Sequence, residues 1–167
     1  MKKAGFAICC AIFLSVCQVV MVSALTSPQK AAIVDHCKEI EESLKTLQRN
    51  DARIRVNLGS RYETISSKYI VPLNVGLVEN NTSNAGFVEN QNLYAETKKG
   101  FVADYVDYQQ NLEELISIDC KNEPEPFYAQ LEKVRHTRRL VEKDVSKIRD
   151  IISKNVKLVT ELKGKIK

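Results

Sequence analysis

From residue 33 onward, apolar side chains return every three or four positions: Ile33, Cys37, Ile40, Leu44, Leu47, Ile54, Leu58, Tyr62, Ile65 and Tyr69, with Asp51 as the one charged member. A stripe of that period held for more than five heptads predicts a long amphipathic helix. Ser27 followed by Pro28 supplies its start, a capping hydroxyl and a proline in the first turn. Pro72 lacks a donor and biases Val71 away from helical angles, so the helix is expected to end or kink near Ile70. The stretch 71–86, with Pro72, Gly76 and the run Asn80-Asn81-Thr82-Ser83-Asn84, has turn composition, part of which could stay helical.

A second stripe reads Gln91, Tyr94, Lys98, Phe101, Tyr105, Tyr108, Leu112 and Leu115 and stops at Asp119-Cys120. The connection 121–126 holds Pro124 and Pro126 and reads as short and rigid. The third stripe is Phe127, Leu131, Val134, Arg138, Val141, Val145, Ile148, Ile152, Val159, Leu162 and Ile166. No segment alternates with period two for long enough to make a strand. The expected fold is all-α, with helices over about 28–70, 87–119 and 126–165 forming an elongated antiparallel three-helix bundle or coiled coil.

The first residues change the setting of that fold. Lys2 and Lys3 precede an uncharged, mostly apolar run from Ala4 to Ala24, and Val22-Ser23-Ala24 offers a cleavage site before Leu25. Residues 1–24 therefore read as a secretory signal peptide and 25–167 as one exported helical domain. An uncleaved anchor is the competing reading, since a run of this length can also span a bilayer. A lipoprotein signal around Leu14-Ser15-Val16-Cys17 is a third, weakened by Val16 where a small residue belongs.

Cys9, Cys10 and Cys17 leave with a cleaved signal, so Cys37 and Cys120 remain as one pair in an exported chain, which is a disulfide candidate. That pair is also a ruler. In a helical hairpin the numbers of facing residues have a constant sum, because both helices rise equally per residue. Cys37 opposite Cys120 fixes the sum at 157 and sets Ile70 opposite Phe87, leaving 71–86 as the connection. Closing so long a loop stabilises the fold by roughly 4 kcal/mol in the loop-entropy account.

The ruler places Asp51 at the level of Tyr105 and Tyr108, and counting the second turn from residue 122 brings Arg138 to the same level. A buried carboxylate needs a partner, and an arginine supplies a bidentate one. The expectation is a structural polar layer of Asp51, Tyr105, Tyr108 and Arg138 that fixes register. The alternative is a pocket built around the same charges. Lys98 falls opposite Gly59, where its stem has room to snorkel.

Charge and motifs exclude more than they propose. Residues 25–167 hold 23 basic and 21 acidic side chains, a balance that argues against nucleic acid as partner. The excess sits at the end, where 135–167 carries eleven basic residues and four acidic ones; a solvated helix face explains it better than an anionic surface does. No phosphate loop, dinucleotide fingerprint, nucleophile elbow or paired-histidine motif occurs, and His36 and His136 sit in polar helical contexts. No catalytic residue, cofactor or metal is expected. Asn80-Asn81-Thr82 and Asn81-Thr82-Ser83 match the glycosylation pattern, which has meaning only in a eukaryotic chain.

The run Asp51-Ala52-Arg53-Ile54-Arg55-Val56-Asn57-Leu58-Gly59-Ser60-Arg61-Tyr62-Glu63, with Cys37 before it and Ile118-Asp119-Cys120 after it, resembles uncharacterised exported helical proteins of candidate-phylum bacteria with reduced genomes. The resemblance implies no activity. Size, signal and long helices offer a looser analogy to trimeric periplasmic holdase chaperones, although no strand-rich body is present. Three readings follow: a non-enzymatic cell-surface or envelope interaction module whose partner is a protein or envelope surface; a periplasmic chaperone or carrier with an oligomeric helical clamp; and an enzyme built on the polar layer. Membrane contact is expected only through an uncleaved signal segment, and homo-oligomers are compatible with such long stripes.

Overall fold

Thr26 caps the first helix among the described residues, one residue earlier than the Ser27-Pro28 signal suggests: Gln29 Oε1 accepts from the Thr26 N–H at 3.0 Å and from its hydroxyl at 2.7 Å. The computed structural model describes residues 25–82 and 85–165, so the expected export signal at 1–24 lies outside the described residues. Among the described residues the fold is all-helical, with no strand. The elements are α1 (Ser27–Asp35), α2 (Cys37–Ile65), a π-helical turn (Ser66–Ile70), α3 (Val71–Glu79), α4 (Ala85–Ser117) and α5 (Pro124–Lys165).

Pro72 does not end the first rod. Val71 keeps helical angles (φ −64°, ψ −51°), and its N–H reaches back five residues to the Ser66 carbonyl. A proline ring clashes with the carbonyl four residues before it, here Lys68, and widening that one turn relieves the clash without leaving the helix. Pro72 then occupies the first turn of α3. The real stop is at Asn80-Asn81-Thr82. Asn81 takes the left-handed conformation (φ 51°), the Asn81 N–H bonds the Val78 carbonyl and the Thr82 N–H bonds the Leu77 carbonyl at 2.9 Å. These paired bonds are the Schellman closure of a helix end. α3 turns Asn74 and Leu77 inward and leaves Val71, Val75 and Val78 exposed, one stripe at i, i+4 and i+7.

The second connection is shorter than expected, because both prolines of 121–126 fall inside α5. They occupy its first turn, where the amides have no intrahelical acceptor in any case. Asp119 shapes the turn before it: its Oδ1 accepts from the Lys121 and Asn122 N–H groups at 3.0 and 3.1 Å, and Asn122 Nδ2 donates to its Oδ2 at 2.6 Å. Those donors hold the Asp119 carboxyl below its ordinary pKa, the Asn122 side chain first.

Cys37 and Cys120 stand at disulfide distance, Sγ–Sγ 2.00 Å and Cα–Cα 5.6 Å. From there the first rod and α4 run in opposite directions. Asp51 meets Tyr108, Glu63 meets Lys98 and Asn74 meets the Phe87 carbonyl, giving sums of 159, 161 and 161 against 157 at the cysteines. α5 runs back along α4 with a second constant, 244 at Gly100–Asp144 and at Gly86–Leu158. Two apolar clusters share the interior. One lies beside the cysteines around Leu44, Leu112, Leu115, Phe127 and Val134. The other holds Tyr62, Ile70, Tyr94, Phe101, Ile148 and Ile151. Each fully buried member contributes about 1.5–3 kcal/mol of transfer free energy. Ile151 rather than Ile152 is the buried member of its turn, because a 3.6-residue helix drifts across a strict heptad stripe.

Candidate functional site

α4 lies between the other two rods, and its inward aromatic face is covered: Phe87, Phe101, Tyr105 and Tyr108 are all buried. α1 approaches α5 beside the cysteines, where Lys30 Nζ and Glu125 Oε1 are 2.5 Å apart. Beyond that end no Cα of α2, the π turn or α3 comes within 8 Å of a Cα of α5. The result is a shallow trough over that sealed floor, with α2 and α3 as one wall and α5 as the other.

The expected polar layer sits in this trough, and only part of it forms. Tyr108 Oη donates to Asp51 Oδ2 at 2.6 Å. Burial, followed by that hydrogen bond, pushes the Tyr108 hydroxyl well above its ordinary pKa. Tyr105 is buried beside it, ring centroids 5.9 Å apart, and its hydroxyl has no hydrogen-bond partner among the described residues. Burial first, and then the Asp51 charge, raises the Tyr105 pKa, while Arg55 opposes the shift. Arg138 is the correction. It reaches the expected level and lines the same trough, yet it makes no ion pair with Asp51; its Nε stands 3.6 Å from Glu142 Oε1, one turn along α5, and its side chain is exposed. A guanidinium on the trough rim keeps its water, so nothing compels it to meet the carboxylate. Arg55 approaches the layer instead, its Cζ 5.1 Å from the Tyr105 ring centroid. Lys98 also departs from expectation, reaching one turn past Gly59 to pair with Glu63 at 2.7 Å.

The trough continues in two stretches. The stretch at the polar layer encloses about 300 Å³ between Arg55 and Leu58 on one wall and Val141, Val145 and Arg149 on the other. The stretch toward α3 encloses about 410 Å³, floored by Phe87 and walled by Ile65, Tyr69, Ile152 and Val156. Ile54, Tyr69 and Val156 are 51, 65 and 61 % exposed, although the first two belong to the apolar stripe of their rod. Periodicity finds an apolar face, but it does not say whether a neighbour covers that face. Arg55 and Arg149 escaped the sequence reading because each lies one residue off its stripe; a search for cations flanking stripe positions would have found them.

The chemistry available here is recognition. The tyrosines are held in their protonated, donating form, the arginines are permanent cations, and Asp51 is already occupied by Tyr108. No nucleophile with an adjacent base is assembled among these residues. At the closed end, Glu41 joins Cys37 and Cys120 within 4.8 Å, but the two sulfurs are spent on each other. No helix among the described residues is long and apolar enough to cross a membrane. Comparison with protein-family models, curated proteins and solved structures finds no match.

Proposed function

We propose that this chain is exported with loss of residues 1–24 and acts, without catalysis, as an envelope or cell-surface interaction module. In this reading residues 25–167 form an elongated antiparallel three-helix bundle, pinned by Cys37 and Cys120 at one end and opened along one side to dock a partner. The observation that carries the reading is the apolar trough between the first rod and α5, where Ile54, Tyr69 and Val156 remain exposed. Exposed apolar side chains lining hollows in a chain otherwise rich in charge support an interaction site. Cross-linking of residues 25–167 in envelope extract tests it, comparing wild type with Ile54→Asp/Val156→Asp. Both positions are exposed, so the variant is expected to fold and to lose the wild type's reproducible adducts. Identical adduct patterns from the two proteins would overturn the reading.

The same trough supports a second one, a chaperone or carrier that holds an extended client along the exposed apolar side chains Ile54, Tyr69 and Val156. Suppression of a model client's aggregation by wild type and not by the Ile54/Val156 variant favours the carrier; no suppression removes it. An enzyme on the polar layer would have buried tyrosines and no acid/base pair among these residues, and is not proposed.

A further inference from the structure

The trough is cationic at its rims. Asp51 is taken by Tyr108 and Glu142 by Arg138, whereas Arg55 and Arg149 have no carboxylate within 4 Å among the described residues. α4 has the opposite character on the side turned away from the trough. It carries six acidic residues against Lys98 and Lys99, and of these Glu89, Glu96, Asp107 and Glu113 are exposed without a cation in range among the described residues. At about 100° per residue, Glu96 and Asp107 lie nearly opposite Tyr105 on the helix. Beside that acidic row Val88, Val102 and Val106 are exposed, with Ala95 between them at heptad spacing.

One chain therefore displays a helix face with an apolar stripe and an acidic edge, and a shallow apolar trough with cationic rims. We propose that the occupant of the trough is a second copy of this chain, whose α4 docks by its outer face, head to tail. This names the partner of the docking surface proposed above and rests on that reading. Charge decides the geometry. A trough-to-trough pair would oppose arginine to arginine, and like charges across an interface suppress the pairing. The head-to-tail contact sets Glu96 and Asp107 among Arg55 and Arg149. It is heterologous, so it propagates into a ring or filament rather than stopping at a dimer.

Light scattering coupled to size exclusion, with sedimentation as a second measure, tests this on residues 25–167. Wild type is expected to grow with concentration, and high salt, which shortens the screening length from about 30 Å at 0.01 M to about 3 Å at 1 M, is expected to weaken growth roughly tenfold or more. Two variants separate the faces: Arg55→Glu/Arg149→Glu alters the trough and Glu96→Lys/Asp107→Lys alters α4. All four positions are exposed, and a melting curve for each variant confirms its fold. Each variant alone is expected to be monomeric. Mixed, the intact trough meets the intact α4 face and the reversed trough meets the reversed face, so charge complementarity returns at both contacts and the mixture is expected to grow with concentration as wild type does. A wild type that is monomeric at every concentration, single variants that assemble as wild type does, or a mixture that stays monomeric would each overturn the proposal. If the wild type is monomeric while the Ile54/Val156 variant still loses its envelope adducts, the docking reading stands and the second copy is excluded.

Discussion

Tyr94 Oη donates to the backbone carbonyl of Tyr62 at 2.9 Å, one turn before the rod widens at Ser66–Ile70. The Ser66 N–H is already shared between the Tyr62 and Glu63 carbonyls at the edge of the π turn. A phenol from the facing helix thus completes a backbone acceptor where the helical ladder changes step. Tyr94→Phe removes the second donor of that carbonyl and is expected to cost about 0.5–1.5 kcal/mol in urea unfolding. Burial, with Tyr62 and Glu63 adding to it, pushes Tyr94 up to about 12. A folded pKa above the unfolded value gives stability that is full below pH 10 and is lost as pH rises through 12. Wild type should therefore lose stability steeply across that window, and the Phe variant less so. Equal alkaline losses would show that Tyr94 is not the group responsible.

The Asp51–Tyr108 hydrogen bond makes a second prediction, and it reverses the one that the sequence invites. If Asp51 and Arg138 were a buried pair, Arg138→Leu would strand a carboxylate and destabilise strongly. With Arg138 exposed on the rim, that substitution is expected to stay within about 0.5 kcal/mol of wild type. Asp51→Leu strands the buried Tyr108 hydroxyl and should cost about 1–3 kcal/mol. Adding Tyr108→Phe should then recover much of that loss. A double-mutant cycle with no coupling between positions 51 and 108, or one with coupling between 51 and 138, would contradict the observed geometry.

These two cases mark how far the sequence reaches. Periodicity located three apolar stripes, and the cysteine pair set a register that holds within four residues as far as Asn74. Both features depend on helix geometry alone, which is the same in every helix. The path of the chain past Pro72 was only partly legible: local rules read the proline as a stop or a kink near Ile70, and the helix answers with one widened turn at Ser66–Ile70. The extent of α3 was legible only as an open alternative: its glycine, asparagine and proline have turn composition, part of which could stay helical, while its actual stop depends on Asn81 adopting a left-handed angle. The open trough was not legible either. Whether α5 covers Ile54 and Tyr69 depends on how three rods share one floor helix, and no single stripe encodes that.

Asp144 makes the third prediction. On α5 it faces Gly100 and Asp104 of α4; a Cβ at position 100 would lie 3.3 Å from its Oδ2, which has no hydrogen-bond partner among the described residues. Burial first, and then Asp104, raise its pKa, while Lys147 and Lys143 oppose the shift. An acid whose folded pKa is raised contributes most below its unfolded value, about 3.9, and loses that contribution as pH climbs through the raised one. At neutral pH its ionised form is therefore a liability. Asp144→Asn keeps the shape and removes the charge, so its melting temperature should exceed that of wild type at pH 7, with the advantage vanishing below pH 4. A variant that melts lower than wild type at neutral pH would mean the carboxylate is needed by Lys143 or Lys147.

The cysteine bridge gives the last prediction, one about where the fold fails. It joins residues 83 apart in sequence, so Cys37→Ala/Cys120→Ala should lose about 4 kcal/mol in the loop-entropy account. The loss should not be uniform. α1 touches α5 only at this end, and the ion pair that accompanies the contact, Lys30–Glu125, is exposed on both sides and worth at most about 1 kcal/mol. The cluster around Tyr62, Tyr94, Phe101 and Ile148 lies several turns away and needs neither cysteine. Hydrogen exchange on the variant should therefore show amides of α1 and the first turns of α2 losing protection early, while those around Tyr62 and Tyr94 open only with global unfolding. If protection falls equally at both ends, the two clusters form one cooperative unit, and the bridge stabilises the whole rod rather than its closed end.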